Sequence, residues 1–245
     1  MVSGRIVILV FVTLFLLIVP GAHSQKTKVS RAFPVYDNGG KPDLTVDPQR
    51  FVAHMEIVDR LFNESDCALQ EGAVRATGYR RIVRFDTVIL NSGDGDLVVG
   101  DHNDSNNPYA QSFVFAPCHG NYLIKDFFMY ELLSLDRTVV LAEHKGGFDI
   151  ADSFKVYGGK SKAYGHAFQG ITSGWAASYS KQFPGQWIDI TGIPAGDYIV
   201  RASINISNTF DEGSNRYTNA VETMIHIPNP GKKVKVDDSP EVVDR

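Results

Sequence analysis

Residues 81–90, Arg-Ile-Val-Arg-Phe-Asp-Thr-Val-Ile-Leu, run into Asn-Ser-Gly-Asp-Gly at 91–95, and this stretch sets the reading of the whole chain. Five of its ten residues are β-branched, none is proline or glycine, and its apolar positions alternate well enough for a half-buried strand. The Asn/Gly/Asp cluster after it is a turn signal. The same pattern recurs at Ser112 to Phe115, Asp126 to Ser134, Thr138 to His144, Gln186 to Thr191, Asp197 to Ile206 and Ala220 to Ile227. Short strands separated by Gly, Pro and Asn, with no amphipathic helices between them, predict an all-β protein, an antiparallel β-sandwich with long irregular loops. One element stays open: after Asp47-Pro48, the residues Phe51, Val52, Met55 and Val58 fit a helix, while Phe51, Ala53, Met55 and Ile57 fit a strand equally well. Residues 149–185, with five glycines between Gly158 and Gly174, show no clear element, and so long a loop in a compact domain is commonly functional.

The start of the chain reads as a secretory signal at 1–24. Arg5 gives the positive region, Ile6 to Val19 the apolar run, and Ala22-His23-Ser24 the cleavage site. That run is too short for a comfortable membrane span, and no other approaches its length, so an exported protein without a membrane anchor is expected. The mature 221 residues suit one large domain, taken as 42–228, between a polar leader at 25–41 and a charged tail at 229–245 expected to be disordered. Removing the signal deletes Arg5 and no acidic residue, which moves the net charge from −4 to −5. An acidic chain without basic clusters is not a nucleic-acid binder. Asn63, Asn103 and Asn205 head glycosylation triplets. Cys67 and Cys118 either form one disulfide or stay free, and their spacing does not decide which.

The segment Cys118-His119-Gly120-Asn121-Tyr122-Leu123 carries the strongest chemical hint. In an extended conformation His119, Asn121 and Leu123 share one face. Three histidines there would form a compact nitrogen site for copper or zinc, but only His119 is a histidine. His102, His144 and His166 are the residues that could join it from other loops, whereas a lone histidine is more commonly a satisfied polar group.

Several blocks, in order, resemble the catalytic domain of the lysyl oxidase family: Pro42-Asp43-Leu44, Asp47-Pro48, Arg81 to Phe85, Pro117-Cys118-His119-Gly120, His144-Lys145, Gln186 to Thr191, then Pro194 and Gly196-Asp197-Tyr198. The resemblance covers Pro42 to Pro228. It implies the fold of secreted copper amine oxidases that turn peptidyl lysine into aldehyde. It also implies a lysine tyrosylquinone cofactor made from the protein's own residues, here Lys145 and Tyr179. The copper positions are His119, Asn121 and Leu123, and the position of a proposed catalytic base is Ala177. A calcium-like site would use Asp43, the Leu44 carbonyl and Asn219, with Arg216 and Ala220 where other ligands are expected. Two further family cysteines fall at Ala73 and Asp149.

These departures predict a secreted lysyl oxidase-like protein with little or no amine oxidase activity, one that binds extracellular or matrix protein, possibly through lysine-rich segments. Lys145 would then stay unmodified and take a carboxylate such as Asp149 or Asp152 as partner. The alternatives are an active copper-dependent protein-lysine 6-oxidase with rearranged ligands, and a structural cell-surface or wall protein. Trp187, Tyr198, Phe127 and Phe128 are expected in the core rather than on a ligand platform.

Overall fold

The computed structural model describes residues 35–158, 160–229 and 232–239. The signal peptide, the leader up to residue 34 and residues 240–245 lie outside these. In chain order the elements are β1 (Leu44–Val46), α1 (Pro48–Ala53), β2 (Glu56–Phe62), α2 (Cys67–Gln70), β3 (Gly78–Arg84), β4 (Thr87–Asn91), β5 (Leu97–Gly100) and β6 (Phe113–Ala116). There follow β7 (Asn121–Leu133), β8 (Val140–Phe148), β9 (Phe154–Lys155), β10 (Gln169–Ile171), β11 (Trp175–Tyr179), β12 (Trp187–Asp189), β13 (Gly196–Ile204), β14 (Ala220–Ile227) and β15 (Lys235–Asp237). The fold is all-β, as expected.

The stretch at 81–90 is two strands. The chain leaves the sheet β12-β3-β2-β15 at Phe85 and enters the sheet β1-β4-β11-β9 at Thr87. Side-chain alternation runs on through this corner, so the pattern alone does not reveal it. Asp86 fixes the corner by accepting the Lys181 backbone N–H at 2.8 Å and pairing with His54. The open element holds both answers. Asp47 caps α1 by accepting from the N–H groups of Gln49 and Arg50 at 2.9 and 3.2 Å, Pro48 opens the helix, and strand alternation takes over at Glu56.

The largest sheet has the order β14-β13-β7-β6, with β8 also paired to β7. The register of β7 shifts between Ile124 and Phe128, where Asp126 has φ 53°. This bulge divides the strand: its first residues pair with β6, its last with β8 and β13. Gly146 on β8 is required by close packing, because a Cβ there would lie 2.5 Å from the Phe128 ring.

Inner faces of the sheets meet in one core that includes Leu44, Phe85, Ile89, Phe148, Ile188 and Val200. Phe127 and Phe128 join it; Trp187 is fully buried in a second cluster, and Tyr198 packs at the margin. Tyr130 is buried with its hydroxyl between Thr87 Oγ1 (2.7 Å) and Gln186 Oε1 (3.0 Å), and burial pushes that phenol well above its usual pKa.

Two segments show more order than composition alone suggests. The charged tail contributes β15, which pairs in parallel with β2 and buries Asp237 against Arg84 and Arg60. Composition marked this segment as disordered because its order comes from ion pairing with distant residues rather than from apolar content. Asn205 is buried, and its amide donates to the Phe210 carbonyl (3.0 Å) and to Glu212 Oε1 (2.6 Å), so no hydrogen is left for a glycan linkage. Asn63 and Asn103 are exposed. Peptide mapping after enzymatic deglycosylation is expected to show mass tags at Asn63 and Asn103 and none at Asn205; an occupied Asn205 in folded protein would contradict this placement.

Candidate functional site

Pro117, Cys118, His119 and Gly120 form the turn between β6 and β7, with Gly120 at φ 68°. His119 therefore sits in the turn, while Asn121 and Leu123 project from β7. Cys67 and Cys118 are joined in a disulfide with a Cα–Cα distance of 5.6 Å. The bridge fastens the turn to α2 and brings Glu71 to 3.2 Å from His119 Nε2.

One cavity of about 270 Å³ gathers most of the candidate residues. His119, Asn121, Leu123, Lys145 and Tyr179 all line it, as do His144, His166, Asp149 and Glu71. Val114, Phe115, Phe128, Phe183 and Pro184 supply apolar walls. His102 does not reach the cavity and stacks on Tyr122, with ring centroids 3.7 Å apart.

Asp149, where the resemblance implied a cysteine, is the hub. Its Oδ2 accepts from Asn121 Nδ2 at 2.9 Å and lies 2.5 Å from His166 Nδ1. Its backbone N–H donates to the Tyr179 hydroxyl (2.9 Å), which in turn donates to the Asp149 carbonyl (2.5 Å). The Tyr179 ring meets Phe148 edge-on at 4.3 Å. Lys145, on β8, pairs with Asp126 at 3.2 Å; Asp149 and Asp152 were the carboxylates expected for it. Asp152 is engaged elsewhere, by Thr172 and the backbone of Ala163 and Tyr164. Lys145 and Tyr179 thus face one cavity with different partners.

His144 is buried with its ring edge against Phe128 at 5.3 Å, and loss of hydration pushes its pKa down to about 4, against the pull of Glu71. Near neutral pH it is an uncharged imidazole. A Cβ at Gly185 would lie 3.0 Å from its Nε2, so glycine there leaves the ring its room.

The donor set does not fit a copper centre. Leu123 presents only hydrocarbon, Asn121 spends its amide nitrogen on Asp149, and His119 and His166 each face a carboxylate. Among the described residues, no three His, Cys, Asp or Glu side chains are gathered to hold a metal. Asp43 and Asn219 do not line this cavity; Asn219 donates to Glu212 Oε1 at 2.5 Å, and Asp43 lies close enough to Glu212 to act on its charge. Two contributors were not anticipated. Glu71 had no signal short of the disulfide pairing, and Asp126 lies at the β7 bulge, which the strand pattern hides.

The family model for lysyl oxidase matches residues 42–237. The chain is similar to lysyl oxidase homolog 2 of Bos taurus and of Homo sapiens, each 31% identical over 192 residues covering 74% of this chain and 24% of the relative. Lysyl oxidase homolog 2A of Danio rerio is 32% identical over 192 residues, covering 74% of this chain and 25% of the relative. The chain therefore spans about a quarter of the length of the curated relatives it matches. No helix among the described residues is long and apolar enough to cross a membrane.

Proposed function

The chain belongs to the lysyl oxidase family, and from that premise we propose that it acts outside the cell as a binding protein for extracellular or matrix protein, with little or no amine oxidase activity. The observation that carries this reading is the cavity wall at Asn121 and Leu123, an amide bonded to Asp149 and a hydrocarbon side chain where the resemblance places two imidazoles. Copper and lysine tyrosylquinone supply the oxidation in the family at large.

The residues present suit binding. Apolar walls offer surface to the methylene stem of a partner's lysine, and Glu71, partly exposed at the same cavity, places a carboxylate there for its ammonium. Tyr179 is held on the Asp149 backbone, and Lys145 is paired with Asp126, so both organic precursors have other occupations. The signal-type leader supports secretion, and the disulfide suits an oxidising compartment. A second reading, an amine oxidase with substitute ligands, draws on His144 and His166 sharing the cavity with His119.

One experiment separates the two. Protein secreted into copper-supplemented medium is analysed for metal and digested for peptide mapping. The binding reading expects far less than one copper per chain and separate, unmodified peptides carrying Lys145 and Tyr179. Stoichiometric copper with a cross-linked Lys145–Tyr179 peptide would establish the oxidase.

A further inference from the structure

Asp43 and Glu212 are buried carboxylates close enough to influence each other electrostatically. Two acids in one buried place need compensation, from a metal ion or from protein donors and a protein cation. By resemblance this place would take calcium.

The described residues meet the need themselves. Glu212 Oε2 accepts the Leu44 backbone N–H at 2.6 Å, and its Oε1 accepts the amides of Asn205 (2.6 Å) and Asn219 (2.5 Å). Asp43 Oδ2 accepts the Tyr217 N–H at 3.1 Å and the Tyr36 hydroxyl. Asn215 donates its amide nitrogen to Asn219 Oδ1 at 2.9 Å. Arg216 donates its backbone N–H to Tyr36 Oη (2.9 Å), and its guanidinium lies 5.0 Å from the Tyr36 ring and 5.5 Å from the Tyr217 ring. Those rings stand edge to face, 5.9 Å apart, and the stacked guanidinium puts positive charge beside Asp43.

Calcium takes six to eight oxygens with lone pairs to spare. Here the carboxylate oxygens accept from protein donors, Asn219 turns its nitrogen inward, Ala220 offers no side-chain oxygen, and the guanidinium stacked on Tyr36 and Tyr217 disfavours a second cation. The residues do not fit that ion.

We infer that Arg216, held against Tyr36 and Tyr217, is the resident cation of this site, and that the junction of residues 36–44 with the 211–219 loop assembles without calcium. The junction is broad. Asn38 donates to the Glu212 carbonyl at 2.9 Å, Ser214 donates to Asn38 at 2.6 Å, and Lys41 pairs with Asp211 at 2.6 Å. Residues 36–41, assigned to the leader from composition, are thus part of the folded unit.

The test uses the full chain, stripped of metal, melted in excess chelator and in millimolar calcium chloride, and titrated with calcium by calorimetry. Equal melting temperatures and no saturable heat are expected. Arg216→Met should lower Tm by about 2–4 °C in both buffers. A saturable calcium heat, or a calcium-dependent rise in the Tm of the unaltered protein, overturns the inference. An Arg216→Met variant that melts with the unaltered protein overturns it too.

Discussion

Asp237→Ala is expected to destabilise the domain by about 3–5 kcal/mol, a large share of the stability of any single domain. Arg84 is fully buried and Arg60 nearly so, and Asp237 is the carboxylate both face; Arg84 also holds Glu56 at 2.9 Å. Removing Asp237 leaves two buried guanidinium groups with one exposed-side partner between them. The Arg60 head lies 5.5 Å from the Phe62 and Trp187 rings, so the loss reaches the second apolar cluster. Denaturant unfolding measures the effect, and a change below about 1 kcal/mol would mean that β15 is not a structural strand in solution.

The same residue gives a pH signature. Burial works to raise the Asp237 pKa, but hydrogen bonds from Ser239 and the Arg84 guanidinium together hold it at about 2. A carboxyl depressed in the folded state stabilises the fold fully above its unfolded value, about 4, and this contribution drains away as pH falls from there through 2. Unaltered protein should lose stability across that window. The alanine variant should lack this component of the slope.

Replacing Cys67 and Cys118 together with alanine is the second large effect, about 4 kcal/mol from freeing a loop of 51 residues in the unfolded chain. The site should feel it as well. Without the bridge, α2 no longer fixes Glu71 beside His119, and the turn carrying His119 keeps its backbone bonds to Ala116. Denaturation with and without reductant provides the check: an unaltered protein indifferent to reductant, once the bond is shown to be cleaved, would refute the bridge as a stabilising element.

How far the sequence reveals this molecule depends on the range of the interaction involved. β14 falls where the pattern at 220–227 put it, because exposure alternates along it residue by residue. The corner at Phe85-Asp86 was hidden, since a change of sheet leaves the two-residue period intact. Strands β9, β10 and β11 inside 149–185 are two to five residues long, too brief for periodicity to register. β15 is charged, and only the arginines of β2 and β3 explain its order. At the site, His119, Asn121, Leu123, Lys145 and Tyr179 were singled out by family resemblance, and the fold puts all five around one cavity. The hydrogen-bond pattern was not legible: Asp149 meets residues 28, 17 and 30 positions away, and no local rule pairs them.

The bond between Asn121 and Asp149 ties two positions of this cavity, 28 residues apart, into one unit. A substitution that offers no donor, such as Asn121→Leu, would strip a hydrogen bond from a buried carboxylate, at a cost of about 1–3 kcal/mol. The asparagine and the aspartate are therefore coupled, and a change at either position is felt at the other.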